Sequence, residues 1–186
     1  EIDGYVDIID NDWIGKEIIS ELVEEGVKCD RIQKLQGITS PFSFIQVTKT
    51  KGERAIAYFP GASEYLICDK NTCNYMKKCS ILLIDGFSPE EDIKIVQFAH
   101  ENDIKVMLDA NMYLEGTDLL LPHIDYLITS KAFLYEATYS QTEKEAFFEL
   151  LKKSQPDVLV TTFGESGSKV FINGNIVNIP SFKVDV

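Results

Sequence analysis

Residues 157–167, DVLVTTFGESG, constrain this chain more than any other stretch. An apolar run ends in a hydroxyl at Thr162 and then passes through two glycines three positions apart, Gly164 and Gly167. The Val- and Thr-rich run predicts a strand. Glycines at that spacing let the backbone bend tightly and approach a bulky anion with no Cβ in the way. Open α/β sheets place their ligands outside the carboxyl ends of the strands, and the bend falls at such an end. Taken alone, a glycine-containing bend after a strand is usually an ordinary turn, so its meaning depends on the rest of the chain.

The rest alternates strands with helices. Residues 5–9 predict a short strand. Asp10, Asn11 and Asp12 can cap a helix over 13–25, where Ile14, Ile18, Ile19, Leu22 and Val23 recur at helical spacing before Gly26. Residues 42–48 and 54–59 predict two strands joined by the polar connector 49–53, and Pro60-Gly61 closes this hairpin. A helix is predicted over 65–78. The run 81–85 is continuously apolar up to Asp85 and predicts a strand buried on both faces. A helix follows over 90–102, with Pro89 in its first turn and Ile93, Val96, Gln97 and Ala99 on one stripe. Strands are predicted over 105–109, 126–129 and 158–162, and helices over 131–138 and 142–153. Two last strands, 169–172 and 176–179, flank the turn Asn173-Gly174-Asn175. Strands alternating with helices of about a dozen residues predict a parallel sheet with right-handed crossovers. The hairpin interrupts that pattern, either as decoration or as a flap that folds over a bound ligand.

Composition narrows the partners. The formal net charge of -12 disfavours nucleic acid and anionic membrane, yet a local nest of N–H groups can hold a nucleotide phosphate within a negative field. The cysteines, Cys29, Cys68, Cys73 and Cys79, form no C-x-x-C pair and have no histidine beside them, so free thiols in a reducing cytoplasm are expected rather than zinc. His100 and His123 read as isolated. The aromatic residues lie mostly at core spacing, which does not predict a base-stacking platform. No apolar run reaches membrane-span length and no signal pattern opens the chain, so a cytoplasmic protein is expected. Residue 1 is Glu, which predicts a processed or truncated chain. With 186 residues, no repeat and no linker, 1–186 reads as one domain.

Three predicted strand ends carry polar or glycine residues: Asp85-Gly86, Asp109-Ala110-Asn111 and Thr162-Phe163-Gly164. A parallel sheet puts these ends on one edge, where they converge on one crevice. An aspartate there is also a turn former or a helix cap. Gly86 is expected to permit the close approach of another backbone.

The order of these pieces resembles the ribokinase-like carbohydrate kinases, the PfkB family. Asp12-Trp13-Ile14-Gly15-Lys16, opening a helix that ends Glu25-Gly26-Val27, is similar to its "D-x-x-G … GV" segment. Ser40-Pro41-Phe42-Ser43-Phe44-Ile45-Gln46-Val47 with Gly52-Glu53-Arg54 resembles the two lid strands and their "GxR" turn. Val160-Thr161-Thr162-Phe163-Gly164-Glu165-Ser166-Gly167 is similar to the "VTxGxxG" nucleotide loop, and 179–184 to the segment leading into the second signature. The resemblance implies an α/β, three-layer ribokinase-like fold with a mostly parallel central sheet and a small β-hairpin lid at about 38–60. It implies ATP-dependent phosphorylation of a sugar or sugar-derivative hydroxyl, with ATP and Mg²⁺. Thr162, Gly164, Gly167 and Ser130 would face the nucleotide; Ser43, Gly86, Asp109 and Arg54 would face the sugar. Lid-to-lid contact would make a homodimer.

The departures are specific. The family's general base lies in a "DTTGAGD" signature expected after Val186, and its glycine-rich sugar signature is expected before residue 1. The resemblance therefore implies no catalytic base in this chain and no phosphoryl transfer by residues 1–186 alone. The usual N-x-x-E motif reads Ser130-Lys131-Ala132-Phe133, and Asp10 replaces a glycine. The Ser-Pro start of the lid and the Ser-x-x-Phe resemble the ketohexokinase-like branch, which implies a ketose or a ketose derivative. The alternative is a non-catalytic sugar- or nucleotide-binding protein on the same scaffold.

Overall fold

Strand pairing follows the alternating pattern. The structure is a computed structural model that describes residue 4 and residues 8–49, 54–61 and 69–183. These fall into two units, residues 1–72 and 73–185. Parts of four sequence expectations lie outside the described residues: strand positions 5–7, the connector 50–53 with Gly52 and Glu53, helix positions 65–68 with Cys68, and Val184.

In the first unit, β1 (Ile8–Asp10) leads into α1 (Trp13–Glu24), and Gly26 follows with φ +79°. Asp12 caps α1 by accepting from the Gly15 N–H at 2.7 Å, as an aspartate before a helical stripe should. A strand the periodicity misses, β2 (Gln33–Leu35), pairs in parallel with β1, Ile8 opposite Gln33. It has only three residues and no alternation to read. β3 (Phe42–Val47) and β4 (Arg54–Phe59) form the expected hairpin, in register from Phe42↔Phe59 to Val47↔Arg54. Every residue of both strands is exposed. The short helix α2 (Lys70–Met76) spans the boundary between the units and begins where Asp69 accepts from the Thr72 N–H at 2.8 Å.

The second unit holds a six-stranded mixed sheet. Its elements are β5 (Ile81–Ile84), α3 (Pro89–Glu101), β6 (Lys105–Ala110), α4 (Thr117–Leu120), β7 (Tyr126–Ser130), α5 (Lys131–Thr138), α6 (Glu143–Ser154), β8 (Val158–Thr162), β9 (Ser168–Ile172) and β10 (Asn175–Ile179). The order is β10-β9-β8-β7-β6-β5. β5 to β8 are parallel, as βαβ crossovers require, and the β9–β10 hairpin adds antiparallel strands. Along β6 to β8 one face is fully buried: Val106, Leu108, Leu127 and Leu159. Helices α3, α5 and α6 bring Val96, Phe133, Leu134, Phe147 and Leu150 to this core. Each such side chain contributes about 1.5–3 kcal/mol of burial free energy. At the amino ends of β6, β7 and β8, Lys105 Nζ bridges Asp125 at 2.5 Å and Asp157 at 3.0 Å, while Asp125 accepts from the Val106 N–H at 2.8 Å. Hydrogen bonds donated to Asp125 and then to Asp157 raise the Lys105 pKa above its ordinary value.

Three expectations need correction. β5 is not buried on both faces: it ends the sheet, and Ile81 and Leu83 are 50% and 59% exposed. Apolar continuity marks hydrophobic residues, not the number of layers that cover them. The packed stripe of α3 runs through Pro89, Asp92, Ile95, Val96 and Ala99, leaving Gln97 exposed and Ile93 half-buried. The aromatics do not lie mostly in the core: Trp13, Phe42, Phe44, Tyr58, Phe59, Tyr139 and Phe182 are exposed. No described helix is long and apolar enough to cross a membrane.

Candidate functional site

Parallel pairing carries three of the singled-out strand ends to one edge. Asp109 lies opposite Ile128, and Ser130 lies opposite Thr162. Side chains alternate along a strand, so Asp109, Ser130 and Thr162 belong to one face. Two strand spacings separate β6 from β8, roughly 10 Å. Asp109 and Thr162 are exposed there, and Ser130 is half-buried.

The bend after Thr162 is a closed loop. Gly164–Ser166 makes a single 3₁₀ turn, with φ +58° at Gly164 and +85° at Gly167. The Phe163 N–H donates to the Gly167 carbonyl at 2.8 Å, and the Gly167 N–H donates to the Gly164 carbonyl at 2.9 Å. The N–H groups of Gly164 and Glu165 have no protein acceptor among the described residues, so the turn's opening donors are left to a ligand or to water. The loop is roofed by the chain that leaves β10. Ser181 Oγ donates to the Glu165 carbonyl at 2.5 Å. A Cβ on Gly167 would fall on the Ile179 carbonyl oxygen and within 3.0 Å of the carbonyl carbons of Ile179 and Pro180. Lys169 pairs with Glu143 and lies 5.9 Å from the Phe163 ring, which fixes the loop's side.

The hydroxyls at this edge are already engaged. Ser130 Oγ accepts from the Phe133 N–H at 3.1 Å as the cap of α5, and donates to the Asn111 carbonyl at 3.0 Å. Serine where the family pattern has asparagine is thus a good helix cap that also ties down the loop after Asp109. Thr162 Oγ1 donates to the Thr129 carbonyl at 3.3 Å, and the buried Thr129 and Thr161 hydroxyls meet at 3.0 Å. The loop after β6 is held further by residues that no motif marked. The Tyr113 N–H donates to Glu136 at 3.3 Å, and its ring lies 5.4 Å from Lys153 Nζ and edge-on to Phe133 at 5.8 Å. Lys153 in turn pairs with Asp118.

Gly86 sits at the end of β5 with φ +72°. The expected close approach is there, but it comes from a side chain: an added Cβ would stand 2.9 Å from Leu108 Cδ1, not from a backbone. Asp85 accepts from the Phe87 N–H at 3.1 Å and so forms the turn. Ser43 and Arg54 lie on the hairpin of the first unit, both on the face that also carries Ile45, Val47, Ile56 and Tyr58. The two histidines are not isolated: their rings are 5.6 Å apart, and a His100 ring nitrogen meets the His123 carbonyl at 2.7 Å. They lie at the end of α3 and in the turn before β7, outside the Asp109 edge. Among the described residues no three His, Cys, Asp or Glu side chains converge to hold a metal. Mg²⁺ carried by nucleotide phosphates needs only one or two carboxylates and not a protein cage.

The sequence profile of the pfkB family carbohydrate kinases matches residues 5–186. No curated protein sequence matches the chain. Among solved structures the chain is similar to adenosine kinase from Sinorhizobium meliloti, with a TM-score of 0.85 and 16% identity over 98% of this chain and 59% of that one. It is similar to the E. coli protein designated Ribokinase II in complex with ATP and Mg²⁺ (0.81, 19%, covering 98% and 63%). A third is Arabidopsis thaliana ribokinase complexed with ribose and ATP (0.76, 20%, covering 94% and 60%). The chain spans about three-fifths of the length of these structures. At such identities the likeness is one of fold, the ribokinase-like α/β fold with a mixed central sheet flanked by helices. None of the three is a ketohexokinase. With this fold and with a profile that runs through nearly every residue, the chain belongs to the pfkB family of carbohydrate kinases.

Proposed function

We propose that this protein takes part in ATP-dependent phosphorylation of a hydroxyl on a sugar or sugar derivative, within a single ribokinase-like domain. The convergence of Asp109 with the closed glycine loop at one sheet edge carries this reading. The free N–H groups of Gly164 and Glu165 donate to phosphate oxygens, Thr162 and Gly167 shape that cradle, and Ser130 sets its floor as the α5 cap. Asp109 and Gly86 line the sugar side of this edge. A bound Mg²⁺ would neutralise phosphate charge as the group is transferred. The complexes of neighbours with ATP and Mg²⁺, and with ribose and ATP, support these ligands.

Asp109 is exposed, so replacing it should cost little stability. Asp109→Asn is expected to weaken sugar binding about tenfold and to leave Mg-ATP binding unchanged, as read by calorimetric titration against D-ribose, D-fructose and Mg-ATP. Equal loss of both ligands, or of neither, counts against the assignment. No residue within 1–186 is assigned as general base, so residues 1–186 alone should bind these ligands and release no ADP. Robust ADP release by them refutes that.

We propose further that the hairpin pairs with the hairpin of a second copy. One of its faces carries Phe42, Phe44, Gln46, Ala55, Ala57 and Phe59 and no charge; Phe42 and Phe59 stack at 5.4 Å. An uncharged aromatic patch on a chain of net charge -12 is a surface that favours its own kind over water. Phe44→Glu should turn a dimer seen by analytical ultracentrifugation into a monomer; an unchanged sedimentation coefficient rules this face out.

A further inference from the structure

The hairpin joins the first unit at two legs, residues 39–41 and Gly61, and both legs are fixed by contacts that a free loop would not need. Asp12 Oδ1 accepts the Gly15 N–H at 2.7 Å, which is all that capping α1 requires. The same oxygen accepts the Ser40 hydroxyl at 2.8 Å, and Oδ2 accepts the Ser40 N–H at 3.1 Å. Ser40 is fully buried and lies 28 positions along the chain from Asp12. Serine, threonine or asparagine would cap the helix as well, but only a carboxylate offers acceptors on both oxygens. The second oxygen therefore serves the hairpin and not α1. Hydrogen bonds from Gly15 foremost, then from Ser40, hold the Asp12 carboxyl below its ordinary pKa.

The return leg is pinned by backbone contact. At Gly61, φ is +68°, and a Cβ would stand 2.8 Å from Pro41 N, 2.9 Å from Pro41 Cδ and 3.1 Å from the Thr39 carbonyl oxygen. The two legs thus cross at the residues on either side of the one Asp12 holds. Beyond the crossing, β3 and β4 are exposed throughout. A hairpin held only at its base moves by rotation at that base, through a few terminal residues remote from any chemistry.

We propose that Asp12 is the positioning residue of this hairpin: its carboxylate fixes Ser40, and with it the direction in which β3 leaves α1. The role for sugar binding rests on the reading of the hairpin as a lid. Asp12→Asn keeps the cap but turns an amide N–H₂ toward the Ser40 N–H, two donors facing each other. Asp12→Ser keeps the cap and cannot reach Ser40.

The test is hydrogen exchange by mass spectrometry on the full chain. Both variants are expected to speed exchange in 42–49 and 54–59 about tenfold. Peptides from 16–24, 105–110 and 126–130, and the fluorescence of the lone tryptophan, Trp13, stay unchanged. Ser40→Ala, which keeps the N–H link, has a smaller effect. With D-ribose and D-fructose as probes in calorimetric titration, Asp12→Asn raises the sugar Kd about fivefold and leaves the Mg-ATP Kd within twofold. Hairpin exchange equal to that of the unaltered chain overturns the proposal, as does faster exchange shared equally by α1 and the sheet. Absence of binding to either sugar would count against the kinase reading alone, since exchange decides the hinge without it.

Discussion

Gly167→Ala is expected to destabilise the sheet unit by about 3 kcal/mol or more and to abolish Mg-ATP binding. Two separate causes add. With φ +85° and ψ −141°, Gly167 occupies a region that is nearly closed to residues with a Cβ. The added methyl would also overlap the Ile179 carbonyl, a backbone atom that no rotamer change can move. Ile179 is held in turn, because β10 pairs with β9 along its whole length, from Asn175↔Ile172 to Ile179↔Ser168. Relief must come from opening the hairpin or the loop, and the loop's hydrogen bonds run through Gly167 itself. Gly164→Ala is the control. Its φ of +58° is a left-handed conformation and its Cβ would meet nothing within 4 Å, so the cost is about 1–2 kcal/mol. Urea unfolding of the two variants should differ by about 2 kcal/mol. Equal losses would show that the close approach of Ile179 is not what requires glycine at 167.

That comparison shows what sequence could and could not tell. The spacing of Gly164 and Gly167 marks the bend correctly, and the edge it shares with Asp109 follows from the parallel pattern alone. The reason for the second glycine is not legible, because the carbonyl it must avoid arrives from β10, twelve positions later and through a hairpin. Ser130 is similar. Its departure from the family pattern is visible and its cap on the Phe133 N–H is local, but its bond to the Asn111 carbonyl exists only once β6 and β7 lie side by side. The Asp12–Ser40 tie was half legible: the capping role is local, whereas the partner 28 residues away is not. β5 misled for a plain reason. Ile81-Leu82-Leu83-Ile84 is apolar enough for two covered faces, and composition carries no count of the layers that will cover it.

Asp92 stands with Glu90 and Glu91 in the acidic first turn of α3, yet it is buried. Only 8% of the residue is exposed, and its Oδ2 has no hydrogen-bond partner among the described residues. Two effects oppose each other there. A carboxylate in the first turn of α3 gains about 0.3–1 kcal/mol from the helix dipole. Burial first, then the charges of Asp85 and Glu91, push its pKa from 3.8 to about 7. A shift of that size corresponds to about 4 kcal/mol against the ionised form, so burial wins and Asp92 carries its proton up to neutral pH.

The linkage has a definite sign. Between about pH 4 and 7 the folded chain keeps a proton on Asp92 that the unfolded chain has lost, so this residue's contribution to stability falls as pH rises through that window and is constant above it. Asp12, Asp69 and Asp118, whose pKa values are lowered by their hydrogen bonds, act the other way, losing stability as pH falls below about 4. A difference between variant and parent removes their common contribution. Asp92→Asn cannot ionise. It is expected to be about 2 kcal/mol more stable than the parent at pH 8 and near parity or below it at pH 5, where the parent's carboxyl is already neutral. Urea midpoints at pH 5, 6, 7 and 8 measure the difference. A gap that does not change across that range would mean that Asp92 is ionised in the fold and that some cation or water partner satisfies it. Asp85→Asn supplies the cross-check: with one repelling charge removed, the pH window of the Asp92 effect should move downward, and a window that stays in place would leave burial and Glu91 as the causes of the shift.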